Sequence, residues 1–150
     1  MRPEPLTEAD FVSRLRSSVT AQSDGIGFTT DLGGGLLIPA EIALALLEAT
    51  AEALRNTLQH AAPAPDAGGD TPRDVTRAVE VTSARDRIRI TVADDGRGFN
   101  SRRIPPERLG VRVSILTRMA TLPGGSASID SARGAGTTVT IGWTDPAALR

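Results

Sequence analysis

The chain has 150 residues, of which 39% are apolar, a formal charge of -1 and no cysteine. This describes one globular core and excludes a disulfide framework, a thiolate metal site and bulk attraction for nucleic acid. All 17 basic residues are arginine and there is one histidine, so phosphate must be met by arginine, that histidine, backbone N–H groups or metal, and a histidine-rich zinc site is excluded.

From the N-terminus, LTEADFVSRLRSSVTAQ predicts a helix that Thr7 can cap, with Phe11, Leu15 and Val19 on one face and polar residues elsewhere. Residues 26–30 predict a short strand ended by Asp31 and by Gly33, Gly34 and Gly35. A long helix should follow, with Pro39 just inside its start and its end near Ala61. APAPDAGGDTPRD has the composition of a surface loop. Residues 77–82 and 87–92 predict two strands joined by a tight turn. The second alternates Ile88, Ile90 and Val92 with Arg87, Arg89 and Thr91, as a strand covered on one side does.

After an irregular stretch over residues 100–108, Gly110 should open another amphipathic helix, with Val111, Ile115, Met119 and Leu122 along one stripe and a stop at Pro123-Gly124-Gly125. The chain closes with a hairpin pairing residues 126–130 and 137–143 around SARGAG. This element order predicts an α+β two-layer sandwich: a mixed sheet of about five strands with its helices on one face. No stretch approaches the roughly 20 apolar residues of a membrane span, and no signal peptide is visible at Met1, which reads as a cytoplasmic-type domain; a membrane-anchored parent is compatible.

The chemistry concentrates in a few places. Glu52, Asn56 and His60 recur every four residues on the long helix and so form a polar column, with Leu47, Leu54 and Leu58 on the opposite side. Alone, such a column is what any solvated helix face offers. Magnesium prefers oxygen ligands and retains water, so one amide oxygen and nucleotide phosphates can complete its shell, while a carboxylate one turn away can orient an attacking group. Asp94, Gly96 and Gly98 form D-x-G-x-G at the end of a strand. An ionised carboxylate accepts from an exocyclic amine, and glycines let a flat base approach bare backbone. A helix N-terminus at Gly110 would suit an anion. Gly134-x-Gly136-Thr137 opens the last strand.

The order of these segments is specific. EALRNTLQHA, VADDGRGF, RLGVRVSILTRMATLPGG and SARGAGTTVTI resemble the N box, the first and second glycine boxes and the closing Gly-Thr segment of the catalytic ATP-binding domain of bacterial sensor histidine kinases. That domain belongs to the GHKL ATPase superfamily shared with gyrase, Hsp90 and MutL. The wording RVSILTRM and the short lid are similar to actinobacterial kinases with NarL-type response-regulator partners. The resemblance covers residues 26–143, with an N-terminal helical segment over 1–25 and a tail over 144–150.

The resemblance implies ATP and magnesium as ligands. It implies Glu52 as the N-box acid with a catalytic role, Asn56 as the magnesium ligand and His60 as a phosphate contact. Asp94 would read adenine, with Gly96 and Gly98 shaping that wall, Gly110 at the end of the lid and Thr137 near the base. The second glycine box departs from the family pattern, because Arg108 stands where its first glycine is expected. The helical hairpin that carries the phosphoacceptor histidine in such kinases is missing from this sequence. The partners implied are therefore a histidine-bearing dimerisation domain of the parent kinase and, indirectly, a response regulator, with no nucleic acid, and with the isolated domain monomeric and unable to phosphorylate itself. The rival readings are an anti-sigma-factor serine kinase, which shares these boxes, and a non-catalytic ATP-dependent interaction module.

Overall fold

The computed structural model describes residues 3–60, 75–96, 106–132 and 134–149, with backbone alone at His60, at 106–112 and at Leu149. Thr7 closes a two-residue strand β1 (Leu6–Thr7) and caps α1 (Glu8–Gln22), its hydroxyl accepting from the Asp10 amide at 3.2 Å. Then come β2 (Gly27–Leu32), β3 (Leu37–Ile38) and α2 (Ala40–His60). The second half contains β4 (Arg77–Ala84), β5 (Arg87–Asp94), α3 (Pro106–Ala120), β6 (Gly125–Ala132), β7 (Gly136–Thr144) and a short 3-10 helix, Pro146–Leu149.

The main sheet is five-stranded in the order β2-β4-β5-β7-β6. β2 runs parallel to β4, which the crossover through α2 makes possible, and the other pairings are antiparallel. The period-two pattern puts Val79, Val81, Ile88, Ile90, Val92, Val139, Ile141 and Trp143 on one face, all buried, while Glu80, Arg87 and Arg89 point the other way and stay exposed. Each of α1, α2 and α3 contributes to the core on the apolar side: Phe11, Leu15 and Val19 from α1, Leu46 and Leu54 from α2, Ile115 and Met119 from α3. Each such side chain contributes about 1.5–3 kcal/mol on burial. Ala49 and Ala53, both fully enclosed, keep α2 close to the sheet. The expected two-layer α+β sandwich is the observed one.

Several boundaries differ from expectation. β2 continues through Asp31 to Leu32, because its parallel register with β4 extends to the Leu32–Ser83 pair. Pro39 lies just outside α2 and accepts the first helical bond, from the Ala43 amide at 2.9 Å. The β1–β3 ribbon, with Leu6 opposite Ile38 and Thr7 opposite Leu37, is too short to leave a periodic trace in the sequence. Gly110 does not open α3. The helix starts at Pro106, whose fixed φ suits a first turn, and Gly110 lies within it. The expected loop at 62–74 falls outside the described residues.

One buried acid organises the N-terminal edge. Glu8 is 7% exposed. Its carboxylate accepts from the Gly34 amide at 3.3 Å, the Leu36 amide at 3.1 Å and the Ser83 hydroxyl. Burial pushes its carboxyl upward, but the Ser83 hydroxyl and the two amides outweigh this and hold it below its ordinary value of 4.5. Glu8 thereby fastens the start of α1, the glycine run and the end of β4 together.

Candidate nucleotide-binding site

The described part of the polar column on α2, Glu52 and Asn56, is not a freely solvated face. Asn56 is 9% exposed, and its Oδ1 is fully buried with no hydrogen-bond partner among the described residues. Leaving such an acceptor unpaired costs about 1–3 kcal/mol, and an asparagine does nothing for helix propensity in return. An orphan of this kind calls for an explanation, and a bound ion or ligand is a common one. Its chain neighbour Thr57 is also buried and turns toward the end of β5.

Asp94 is the last residue of β5, where the register places it between Arg77 of β4 and Thr137 of β7. Both carboxylate oxygens are engaged: Oδ2 accepts from the Thr57 hydroxyl at 2.8 Å and Oδ1 from the Gly96 amide at 3.0 Å. These two bonds fix the plane of the carboxylate and leave further lone pairs free to accept from a ligand amine. Arg77 stands behind this pair. Its Nε donates to Thr57 Oγ1 at 3.2 Å and its Nη2 to the Thr57 carbonyl at 3.0 Å. The adjacent Asp95 exchanges bonds with Thr76 instead: Thr76 N donates to Asp95 Oδ1 at 2.7 Å and Asp95 N to the Thr76 carbonyl at 3.2 Å.

Thr137 is 5% exposed and its hydroxyl lies 2.8 Å from that of Ser131. Ser131 sends its proton to the Gly136 carbonyl at 3.0 Å, so Thr137 supplies the proton between the two hydroxyls. Gly136 is required here: its φ is +78°, and a Cβ would come within 2.0 Å of the Asp94 carbonyl. The close approach of β7 to the end of β5 depends on that missing side chain.

Glu52 is committed to α3. Its Oε2 lies 3.4 Å from Arg118 Nη1 and accepts from the Ser114 hydroxyl at 3.2 Å. Ser114 and Arg118 are four residues apart and so share a face of α3, which makes the acid a joint between the two helices.

The structure thus brings together Asn56, Asp94, Gly96 and Thr137 through Thr57 and the sheet register, with Glu52 one helical turn away. The backbone of His60 continues the α2 column; its side chain, and all of Gly98, lie outside the described residues. Sequence reasoning missed Thr57, Arg77, Ser114, Ser131 and Arg118. Thr57 had a signal, being a β-branched hydroxyl residue in an alanine- and leucine-rich helix beside Asn56. Arg77 had none, since its place beside Asp94 exists only in the strand register. By contrast, a cavity of about 800 Å³ among Pro3, Pro5, Arg14, Pro39, Ala40, Glu41 and Leu44 lies at the start of α2 and has a mainly apolar lining.

Comparison with known proteins identifies the family and the fold. A family profile described as histidine kinase-, DNA gyrase B-, and HSP90-like ATPase matches residues 41–147, a span that contains every site residue above. The histidine kinase domain of the blue-light activated histidine kinase of Erythrobacter litoralis is similar, with 21% identity, 91% of this chain and 59% of that chain covered, and a TM-score of 0.61. A longer chain of the same kinase gives 20% identity, 94% and 42% coverage, and 0.65. This chain therefore spans less than two thirds of either. The catalytic domain of histidine kinase ThkA is similar over 100% of both chains at 12% identity and a TM-score of 0.67. A mycobacterial sensor histidine kinase, MprB, gives 16% identity, 94% and 97% coverage, and 0.59. At these identities the likenesses establish the fold. No curated protein matches. The profile match extends over most of the chain, and the chain belongs to the histidine kinase-, DNA gyrase B-, and HSP90-like ATPase family.

Proposed function

We propose that this chain binds ATP with magnesium and, as the catalytic domain of a sensor histidine kinase, presents the γ-phosphate to a histidine on a separate dimerisation domain. The observation that carries this reading is the buried, unpartnered Asn56 Oδ1, one residue from the Thr57–Asp94 pair. A hard cation is a fitting partner for that oxygen. Among the described residues no three His, Cys, Asp or Glu side chains converge, so such a cation would draw its other ligands from phosphate and water, as magnesium does. Bound there, magnesium would neutralise phosphate charge.

The protein's own groups divide the remaining work. Asp94 accepts from the adenine amine, with Gly96 and Gly98 forming the wall beside the base and Thr137 near it. Asn56 holds the cation, and His60 and the segment leading to Gly110 meet phosphate. Glu52 orients rather than deprotonates. A neutral imidazole brings its own lone pair, and Glu52 is already engaged with Arg118 and Ser114. Catalysis is then positioning and charge neutralisation. The RVSILTRM wording favours the actinobacterial type with a NarL-type response regulator as the eventual phosphate acceptor. On this reading residues 26–143 are the catalytic unit, 1–25 a helical segment, 144–150 a tail, and the isolated domain is a monomer. ATP dependence places it in the cytoplasm; no helix among the described residues is long and apolar enough to cross a membrane.

The test uses radiolabelled ATP. The chain alone should bind nucleotide and not label itself. Adding a histidine-bearing helical hairpin from the parent kinase should yield an acid-labile, alkali-stable label. Acid-stable label on a serine of a separate protein would replace this reading with an anti-sigma-factor kinase, and nucleotide binding with no transfer to either acceptor would leave an interaction module.

A further inference from the structure

Two threonines on α2 use their hydroxyls in opposite ways. Thr50 donates back to its own helix, to the Leu46 carbonyl at 2.7 Å. This is the bond open to any helical threonine, whose side chain divides between rotamers for that reason. Thr57, seven residues on, has the same option toward the Ala53 carbonyl and does not take it: its proton goes to Asp94 Oδ2 at 2.8 Å. Two groups distinguish the surroundings of Thr57: the Asp94 carboxylate that takes its proton, and Arg77. Its Nε donates to Thr57 Oγ1 at 3.2 Å, and its Nη2 is anchored on the Thr57 carbonyl at 3.0 Å, in the last turn of α2.

An arginine only donates. With one lone pair of the Thr57 oxygen taken by Arg77, the hydroxyl is held in the rotamer that directs its single proton onto Asp94. We infer that Arg77 is the positioning residue of the purine-reading acid: through Thr57 it fixes the orientation of Asp94 and so sets the preference for a 6-amino over a 6-oxo purine. The inference rests on the nucleotide reading above. With Oδ1 held by the Gly96 amide and Oδ2 by Thr57, the carboxylate cannot rotate to relieve the clash between its lone pairs and a 6-oxo group. Without Arg77, the Thr57 hydroxyl can turn to its own helix and release Oδ2.

The experiment is calorimetric titration of the full chain with ADP and with inosine diphosphate, in magnesium buffer, for wild type, Arg77→Met, Thr57→Val and the double variant. Wild type should bind ADP and discriminate against inosine diphosphate. Arg77→Met should weaken ADP binding about fivefold, the scale of one hydrogen bond, and narrow the ADP-to-inosine ratio. In the Thr57→Val background the same substitution should add less than about twofold, because the hydroxyl it acts through is gone. A loss of equal size in both backgrounds would make Arg77 a clamp on the α2 carbonyl and overturn the inference. So would an unchanged purine ratio in Arg77→Met. Absence of ADP binding by wild type would overturn the nucleotide reading and this inference together. Trp143 fluorescence verifies folding, and if Arg77→Met does not fold, Arg77→Lys, which keeps the charge and can reach only one of the two acceptors, carries the same comparison.

Discussion

Arg118 of α3 lies 3.4 Å from the Glu52 carboxylate of α2, so the acid expected to serve chemistry also joins two helices. The side chains are 35% and 20% exposed, respectively, and water screens them substantially. The pair should therefore contribute less than about 1 kcal/mol. A double-mutant cycle with Glu52→Gln and Arg118→Ala, read by urea unfolding, should return a coupling within that limit. A much larger coupling would make Glu52 a structural acid and weaken its case as an orienting group for transfer.

Asp94→Asn should weaken ADP and ATP binding at least tenfold. The carboxylate accepts two internal donors, Thr57 Oγ1 and Gly96 N. An amide has one oxygen, so its NH2 would face one of those donors and the charged acceptor for the adenine amine would be lost. Charged hydrogen bonds are worth about 1.5–3 kcal/mol. Titration calorimetry giving equal affinities would remove Asp94 from the base site.

Asn56→Ala should separate function from stability. Removing the unpaired Oδ1 also removes its desolvation cost, so unfolding free energy should fall by no more than about 1 kcal/mol and could rise. Nucleotide binding should meanwhile lose its magnesium dependence, with adenine recognition largely intact. Titrations with and without magnesium, alongside thermal melts, check both halves. Unchanged magnesium dependence would place the cation elsewhere.

Glu8 predicts a pH dependence. Its carboxyl in the fold ionises below 4.5, so its stabilisation is whole above that value and is lost as pH falls through the lower, folded-state value. Glu8→Ala should cost about 2–3 kcal/mol at neutral pH, since it strands the Leu36 and Gly34 amides and the Ser83 hydroxyl. The gap between variant and wild type should close in acid. Urea unfolding at a series of pH values measures it, and a gap that stays constant into acid would refute the assignment.

What could be read in advance followed from periodicity. Ile88, Ile90 and Val92 announced β5, and Phe11, Leu15 and Val19 the buried face of α1, because period and burial are linked locally. Asn56, Asp94 and Thr137 stand out as candidates through their neighbours in sequence. The relations between them do not. The links from Thr57 and Arg77 to Asp94, from Arg118 to Glu52 and from Glu8 to Ser83 join distant segments, and no local pattern encodes a strand register. Gly110 resembles punctuation in the sequence, yet α3 starts at Pro106. Proline at 106 followed by Glu107, Arg108 and Leu109 is a helix opening in its own right.

Among the described residues β2 pairs on one side, through a parallel ladder with β4, and its end is held where Gly33 meets Ser83, 50 residues along the chain. Glu8 bonds to both sides of that junction. The edge should thus open as a unit, and with less work than the inner strands, which are paired on both flanks. In deuterated buffer the amides of Gly27–Leu32 should exchange well ahead of those of Arg87–Asp94, and mild acid should widen the lead by loosening Glu8. The Asp94 end of β5, where the proposed base site lies, would then persist while the N-terminal edge comes and goes, so ligand affinity should outlast partial melting of the domain.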